Sequence, residues 1–514
     1  MLLLELFPFF HHEDISEEIF SYAALTEYDE TPVSNLPLAS SVLDQRLLPL
    51  GQTGTWDNFI FREGIRTLLS FSLIKRGLSD NVYAMHPLVH TWCRDRLTLS
   101  ERKKCCSMVY VILSCALRWN ADQPCGFQRT LVTHVRENME YFKSEGNQNI
   151  VSYMDDAYEK FGRLLREQGY AKEAERLEIE VLDKRNKVLG VEHPDTIRAM
   201  ANLAFSYGDL GKYTEAEKLE IQVLDARKRI LGVEHPNTIL AMENLASSYT
   251  ELGKYAEAET LGIQVLDARK RILGVEHPDT IKAMANIAVT YHNLAKYPEA
   301  EKLGIQVLDA RKRILGVEHP DTIKAMANLA SSYRDLGKHT EAETLKIQVL
   351  DARKRILGVE HPDTILAMAN LACSYGDLGK YTEAEKLEIQ VLDARKRILG
   401  VEHPDTIFAM ANLACSYGDL GKYTEAEKLE IQVLDARKRI FEVEHPHTIL
   451  AMDNLAATLR SLGKYKEAER LAIQAQAVKS RVIGATSHHA NATMVNVQET
   501  EETPILNFDK KGVY

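Results

Sequence analysis

Seven asparagines recur at a fixed interval in this sequence, and their amide side chains are candidates for binding chemistry. They lie 42 residues apart, inside segments of helical periodicity: Asn202, Asn244, Asn286, Asn328, Asn370, Asn412 and Asn454. Asparagine is unfavourable inside a helix because its amide competes for backbone hydrogen bonds. We therefore expect each amide to have a partner, either the neighbouring repeat or the backbone of an extended peptide. The sequence leaves both alternatives open.

Residues beside the asparagines vary, although the rest of the repeat is nearly constant. The position four residues before each asparagine is occupied by Arg198, Leu240, Lys282, Lys324, Leu366, Phe408 and Leu450. The position three residues after it also varies, and in a helix these positions share one face. We predict a peptide-binding surface there, with Arg198, Lys282, Lys324 and Phe408 beside the asparagines. Relaxed constraint at exposed positions is the alternative explanation.

Seven histidines recur with the same period, within the tripeptide Glu-His-Pro, and imidazole is a common metal ligand. They are His193, His235, His277, His319, His361, His403 and His445. Equivalent positions in successive repeats lie too far apart to share one metal ion. We therefore predict a structural role for these histidines, and no metal site. Basic triplets such as Arg227 to Arg229 are predicted to be solvated, because Glu and Asp balance them in the same helix.

The elements that carry these residues follow from the 42-residue period, which predicts a stacked array of helix pairs. In the unit 195–236, one apolar stripe ends at Gly211 and a second ends at Gly232, as helices do at glycine. Asp195 and its equivalents are expected to cap the first helix of each repeat. Neither helix buries its apolar face alone, so adjacent repeats must share their stability.

The repeat resembles a known family through the spacing Leu-Ala-x-x-Tyr, Leu-Gly-Lys-Tyr and Glu-Ala-Glu. This spacing resembles the tetratricopeptide repeat, and the 42-residue period with LGxEHPDT resembles the form found in kinesin light chains and many fungal repeat proteins. Counting a degenerate copy near Tyr153, we predict eight repeats over residues 153–483. The resemblance implies an all-α superhelix whose concave face carries the asparagines and binds a protein or peptide.

The first hundred residues are predicted to form a different unit. Asp14 followed by Glu17 indicates a capping box at the start of a helix. FSLIKRG and NVYAMHP are typical of two short strands around a turn, and Pro87 is suited to the first turn of a further helix. This order of helices, hairpin and helix predicts a winged-helix-like unit over residues 1–100.

Two segments of this unit, SFSLIKR and YAMHPLVHTWCRDRL, resemble the region that follows the nucleotide-binding module of fungal NOD-like receptors of the NB-ARC or STAND type. In that family the histidine of a Met-His-Asp motif contacts bound ADP. Met85 and His86 match that motif, whereas Pro87 replaces the aspartate. The chain contains no GxxxxGK[ST] phosphate loop. We therefore expect no bound cofactor.

The remaining segments and the composition restrict the possible functions further. Residues 101–152 are predicted as a helical connector and residues 484–514 as a disordered tail. A net charge of -11 argues against nucleic acid as a partner, and the longest later apolar run, Met108 to Leu117, is too short to span a membrane. The seven cysteines form no CxxC pairs, which favours reduced thiols and a cytoplasmic location.

Together these observations predict a non-enzymatic scaffold that binds a protein or peptide. The resemblances suggest the sensor half of a truncated STAND or NOD-like receptor. Two alternatives remain: a cargo adaptor like kinesin light chain, although no sustained heptads precede the repeats, and a nucleotide-hydrolysing receptor if an upstream ATPase module belongs to the same protein. Self-association through the repeats is left open.

Overall fold

The computed structural model describes residues 2–24, 56–77, 79–117, 123–144, 154–440 and 445–490, and this part of the chain contains 22 α-helices. The all-α fold of tetratricopeptide-type helix pairs, with a small N-terminal strand hairpin, is confirmed. The described residues up to Gly253 form one compact unit, and those from Lys254 onward form a second.

The first unit begins with a small three-stranded sheet among helices. Its elements are α1 (Leu2–Leu6), a 3-10 helix (Phe7–Phe9), β1 (Ile15–Ser16), α2 (Glu17–Ala24), α3 (Phe59–Ser70), β2 (Ile74–Arg76), β3 (Val82–Met85) and α4 (Pro87–Asp95). The predicted hairpin is β2 and β3, with Ile74 opposite Met85. Strand β1 was not predicted, and it pairs antiparallel with the other edge of β3.

The capping box predicted at Asp14 and Glu17 is wrong, because β1 lies between Asp14 and α2. Asp14 has a left-handed backbone with φ of 57°, and helix α2 begins at Glu17. The hydroxyl of Ser16 accepts a hydrogen bond from the Glu18 amide at 3.1 Å. The Glu17 carboxylate instead pairs with Arg62 of α3 at 2.9 Å.

Two further helices belong to the core of this first unit. They are α5 (Leu99–Ala116) and α6 (Cys125–Ser144). Tyr110, Val111 and Leu113 of α5 are fully buried, in the same apolar cluster as Phe7 and Phe20. Much of the segment predicted as a connector therefore packs against the first hundred residues.

The repeats supply the other helices. In the first unit these are α7 (Met154–Glu167), α8 (Ala171–Val188), α9 (Pro194–Asp209), α10 (Tyr213–Leu231) and α11 (Pro236–Glu251). In the second unit they are α12 (Tyr255–Leu273), α13 (Pro278–Asn293), α14 (Tyr297–Leu315), α15 (Pro320–Asp335), α16 (His339–Leu357), α17 (Pro362–Asp377), α18 (Tyr381–Leu399), α19 (Pro404–Asp419), α20 (Tyr423–Ile440), α21 (Pro446–Ser461) and α22 (Tyr465–Ala490). Helix α22 extends past residue 484, and residues 491–514 of the predicted tail lie outside the described residues.

The histidine of each Glu-His-Pro caps the first helix of its repeat, which confirms a structural role. Before α15, for example, His319 has an extended backbone and Pro320 occupies the first helical position. The Asp321 amide donates to Nδ1 of His319 at 3.2 Å. The cap predicted at Asp195 is wrong for this reason: His193 is the capping residue, and Asp195 lies inside the first turn.

The basic triplets combine two different environments, so the prediction that they are solvated holds only in part. The third arginine is exposed, as in Arg355, whose guanidinium pairs with Glu318 at 2.6 Å. The first arginine is partly buried, as in Arg353, whose Nη1 donates to the Asp363 carbonyl oxygen at 2.8 Å. Its side chain thereby ties the second helix of one repeat to the first helix of the next.

Candidate functional site

The seven asparagines all lie on first helices of the repeats. We call the surface formed by these asparagines, with the residues four before and three after each, the ladder face. In the first unit it comprises positions on α9 and α11, and in the second unit positions on α13, α15, α17, α19 and α21. Lys282 on α13 and Lys324 on α15 are exposed, and Phe408 on α19 is exposed by 43%.

The ladder face of the first unit is partly engaged in internal contacts. Nδ2 of Asn202 donates to Oε1 of Glu159 on α7 at 2.9 Å. Nε of Arg198 contacts the same oxygen at 2.8 Å, and its Nη2 contacts Asp195 at 3.0 Å. For Asn202 the neighbouring repeat is therefore the partner, and the Arg198 cation is neutralised by two carboxylates.

Most of the other asparagines differ from Asn202. Among the residues that the structure describes, no side-chain hydrogen-bond partner is found for Asn244, Asn328, Asn370, Asn412 or Asn454. Their amides are half-buried or exposed on the ladder face. Each amide therefore has donors and an acceptor that a bound molecule can use.

One cavity lies between two neighbouring first helices of the second unit, α19 and α21, and it has a volume of about 130 Å³. Its lining residues are Phe408, Ala411, Asn412 and Cys415 from α19, Glu430, Val433 and Arg437 from α20, and Leu450, Ala451 and Asn454 from α21. The structure thus brings together Phe408, Asn412 and Asn454, which the sequence singled out, with the variable residue Leu450.

The floor of this cavity contains a buried carboxyl group that the sequence analysis missed. Glu430 is only 7% exposed, and its Oε2 atom has no hydrogen-bond partner among the described residues. Burial raises the pKa of Glu430, and a hydrogen bond with Thr458 of the next repeat opposes that shift. Arg437 lies two turns further along α20, and its Nη1 donates to the His447 carbonyl oxygen at 2.6 Å.

The position of Glu430 recurs in every second helix, and we call it the floor position. Its occupants are Glu178, Glu220, Gly262, Gly304, Lys346, Glu388, Glu430 and Ala472. The change between acid, glycine and lysine within an otherwise constant helix is the signal that could have revealed it. This contrast lies on the second helices, whereas the predicted binding residues all lie on the first.

The residues at the floor position differ in charge and in the direction in which burial shifts their pKa. Burial raises the pKa of Glu178, Glu220 and Glu388 to about 7 each, so these carboxyl groups titrate near neutral pH. Burial lowers the pKa of Lys346 to about 8. At Gly262 an added Cβ atom would lie 3.0 Å from Cγ1 of Ile287, so a larger residue would require the Ile287 side chain to shift.

Other candidate chemistry is limited in the described part of the chain. No group of three or more His, Cys, Asp and Glu side chains there is arranged to hold a metal ion. None of the helices described is both long enough and apolar enough to cross a bilayer. His86, which matches the nucleotide-contacting histidine of the STAND motif, caps α4 by accepting a hydrogen bond from the Leu88 amide at 3.2 Å.

Comparison with known families identifies the type of repeat. The tetratricopeptide repeat model matches residues 153–481 in overlapping segments that run from 153–229 to 416–481, which is well over half of the chain. The chain therefore belongs to the tetratricopeptide repeat family. No curated protein matches it.

Several solved structures are similar to this chain. The nearly identical TPR-like repeats of a putative kinesin light chain from Podosopora anserina are 29% identical, with a TM-score of 0.37, and the match covers 40% of this chain and 98% of that one. A STAND protein with a tetratricopeptide repeat sensor, from Pyrococcus horikoshii, is 16% identical, with a TM-score of 0.53 and coverage of 92% and 65%. The apo quorum sensor NprR from B. thuringiensis is 17% identical, with a TM-score of 0.50 and coverage of 67% and 93%.

Proposed function

We propose that the ladder face of the second unit binds an extended peptide segment of a protein partner. The cavity between α19 and α21 carries this proposal, because it places the amides of Asn412 and Asn454 beside the apolar side chains of Phe408 and Leu450. An amide both donates and accepts hydrogen bonds, so it can pair with a peptide backbone whatever the peptide sequence. The apolar walls can receive a side chain of that peptide.

We further propose that this binding is the sensor function of a STAND-type or NOD-like receptor located in the cytoplasm. The order of hairpin and helices in the first unit and the Met85-His86 pair support this assignment. The STAND protein from Pyrococcus horikoshii has a tetratricopeptide repeat sensor, and its likeness to this chain supports a common fold. In this proposal the repeats bind and do not catalyse, and the winged-helix-like unit transmits the bound state.

A selection from a peptide library with the full chain tests the binding proposal. The double variant Asn412→Ala and Asn454→Ala should lower the affinity for all selected peptides by about tenfold or more, since both amides that bond the peptide backbone are removed. The matched control is Arg355→Ala with Arg397→Ala, which removes two exposed arginines of second helices that pair with Glu318 and Glu360. Weakening by the arginine pair and not by the asparagine pair would place the binding surface elsewhere.

A further inference from the structure

The cavity between α19 and α21 combines apolar walls with a buried carboxyl group, that of Glu430. Phe408, Val433, Leu450 and Ala451 supply apolar lining. On the floor, Oε2 of Glu430 has no partner among the described residues, and the residue is more than nine-tenths buried. A buried acceptor without a donor is unfavourable, because its desolvation is not compensated. A guest that brings a donor to this oxygen would provide that compensation.

The size of the cavity limits the guest. Its volume of about 130 Å³ is close to the roughly 150 Å³ of an engineered apolar cavity that binds benzene. One six-membered ring therefore fits the space. The aromatic face of Phe408 at the wall favours an aromatic guest through edge or offset contacts.

The charges around the cavity select the kind of donor. Arg437 lines the same cavity, and its guanidinium is fixed on the His447 carbonyl oxygen at 2.6 Å. A guest ammonium group would lie near the Arg437 guanidinium in a site of low dielectric constant, where like charges repel strongly. A neutral donor avoids the repulsion and still satisfies Glu430.

A phenol meets all these conditions, since it joins an apolar ring to a neutral O–H donor. We propose, on the basis of the peptide-binding function above, that the cavity is a subsite for a tyrosine side chain of the bound peptide. The phenolic O–H donates to Oε2 of Glu430, and Asn412 and Asn454 pair with the peptide backbone on either side. The subsite requires an acidic residue at the floor position. In other repeats Lys346 supplies a donor in place of this acceptor, and Gly262 and Gly304 provide no side chain.

Two small molecules that differ only by a hydroxyl test the subsite in the full chain: p-cresol and toluene. Cys415 lines the cavity, so a bound guest should slow its alkylation by iodoacetamide, measured by mass spectrometry of the peptide that contains it. We expect p-cresol to protect Cys415 at concentrations about tenfold lower than toluene, because one hydrogen bond to a carboxyl group distinguishes them.

Three variants assign the effect to Glu430. Glu430→Leu removes the acceptor and should abolish the difference between p-cresol and toluene, whereas Glu430→Gln retains a carbonyl acceptor and should keep it. Glu220→Leu, at the floor position of the first unit, should leave the protection of Cys415 unchanged. Equal protection by both molecules in the unaltered chain would overturn the proposal, as would a p-cresol preference that survives Glu430→Leu.

The two proposals can fail separately. If library peptides bind through the asparagines while p-cresol gives no preferential protection, the tyrosine subsite is wrong and the peptide-binding function stands. If p-cresol protects Cys415 as expected and no peptide binds, the subsite is a small-molecule site and the peptide-binding function is wrong.

Discussion

Lys346 donates a hydrogen bond of 2.6 Å from its Nζ atom to Oγ of Ser374 on the first helix of the next repeat. The equivalent pairs elsewhere are Glu388 with Ser416 and Glu430 with Thr458. A hydroxyl group can accept from an ammonium group or donate to a carboxylate. The Ser or Thr on the first helix therefore accommodates either charge at the floor position, and the backbone of the repeat need not change.

The pH dependence of stability should reflect the buried glutamates. Burial raises the pKa of Glu388 from 4.5 to about 7, so folding favours the protonated form. The stability that this group contributes is complete below pH 4.5 and is lost as pH rises to about 7. Glu388→Gln should therefore stabilise the protein at pH 8, by at most about 3 kcal/mol, and should have little effect at pH 4.5. Thermal unfolding at both pH values measures this.

The control for that experiment is Glu360→Gln, whose carboxylate is exposed and pairs with Arg397. An exposed pair contributes little, so this variant should change the midpoint only slightly at either pH. A gain from Glu388→Gln that is equal at pH 4.5 and pH 8 would show that the carboxyl group is not held in its protonated form.

Histidine capping should contribute measurably to each repeat. His319→Ala removes the Nδ1 acceptor of the Asp321 amide and should cost about 1 kcal/mol, as the loss of a helix N-cap usually does. His319→Asn supplies another capping acceptor and should retain most of the stability. Denaturant unfolding of both variants checks this, and an asparagine variant as unstable as the alanine variant would contradict it.

The first and third arginines of one basic triplet should differ in importance. Arg353→Ala removes a hydrogen bond to the Asp363 carbonyl oxygen at a partly buried site and should cost about 2 kcal/mol. Arg355→Ala breaks an exposed ion pair with Glu318 and should cost at most about 0.5 kcal/mol. The two variants lie two residues apart in α16, and equal losses in unfolding experiments would refute the assignment of distinct roles.

The exposed lysines of the ladder face should influence which peptides bind. We expect Lys282→Ala with Lys324→Ala to reduce the affinity for acidic peptides by roughly two- to fivefold, because each lysine is a solvent-exposed cation. The effect should shrink at high salt, where such charges are screened. Binding of acidic and neutral peptides to the variant and to the unaltered chain measures this. An equal loss for both peptide classes would rule out a role in charge selection.

The sequence alone determined the repeat architecture, because the 42-residue period and the apolar stripes are local patterns that every copy repeats. It also located the asparagines and the variable residues beside them, since helical spacing assigns residues such as Phe408 and Asn412 to one face. The hairpin of β2 and β3 followed from short apolar strands around a turn. Each of these features depends on residues that are near one another in the chain.

The tertiary structure alone decided which residues meet between helices. Glu430 and Thr458 are 28 residues apart and on different helices, and only their packing buries the carboxyl group beside the cavity. Asn202 and Asn412 occupy equivalent positions in nearly identical helices, yet among the described residues only Asn202 has a glutamate, Glu159, within hydrogen-bonding distance. Periodicity specifies the face on which a side chain lies. The partner on that face depends on the neighbouring helix, whose residues are distant in the chain.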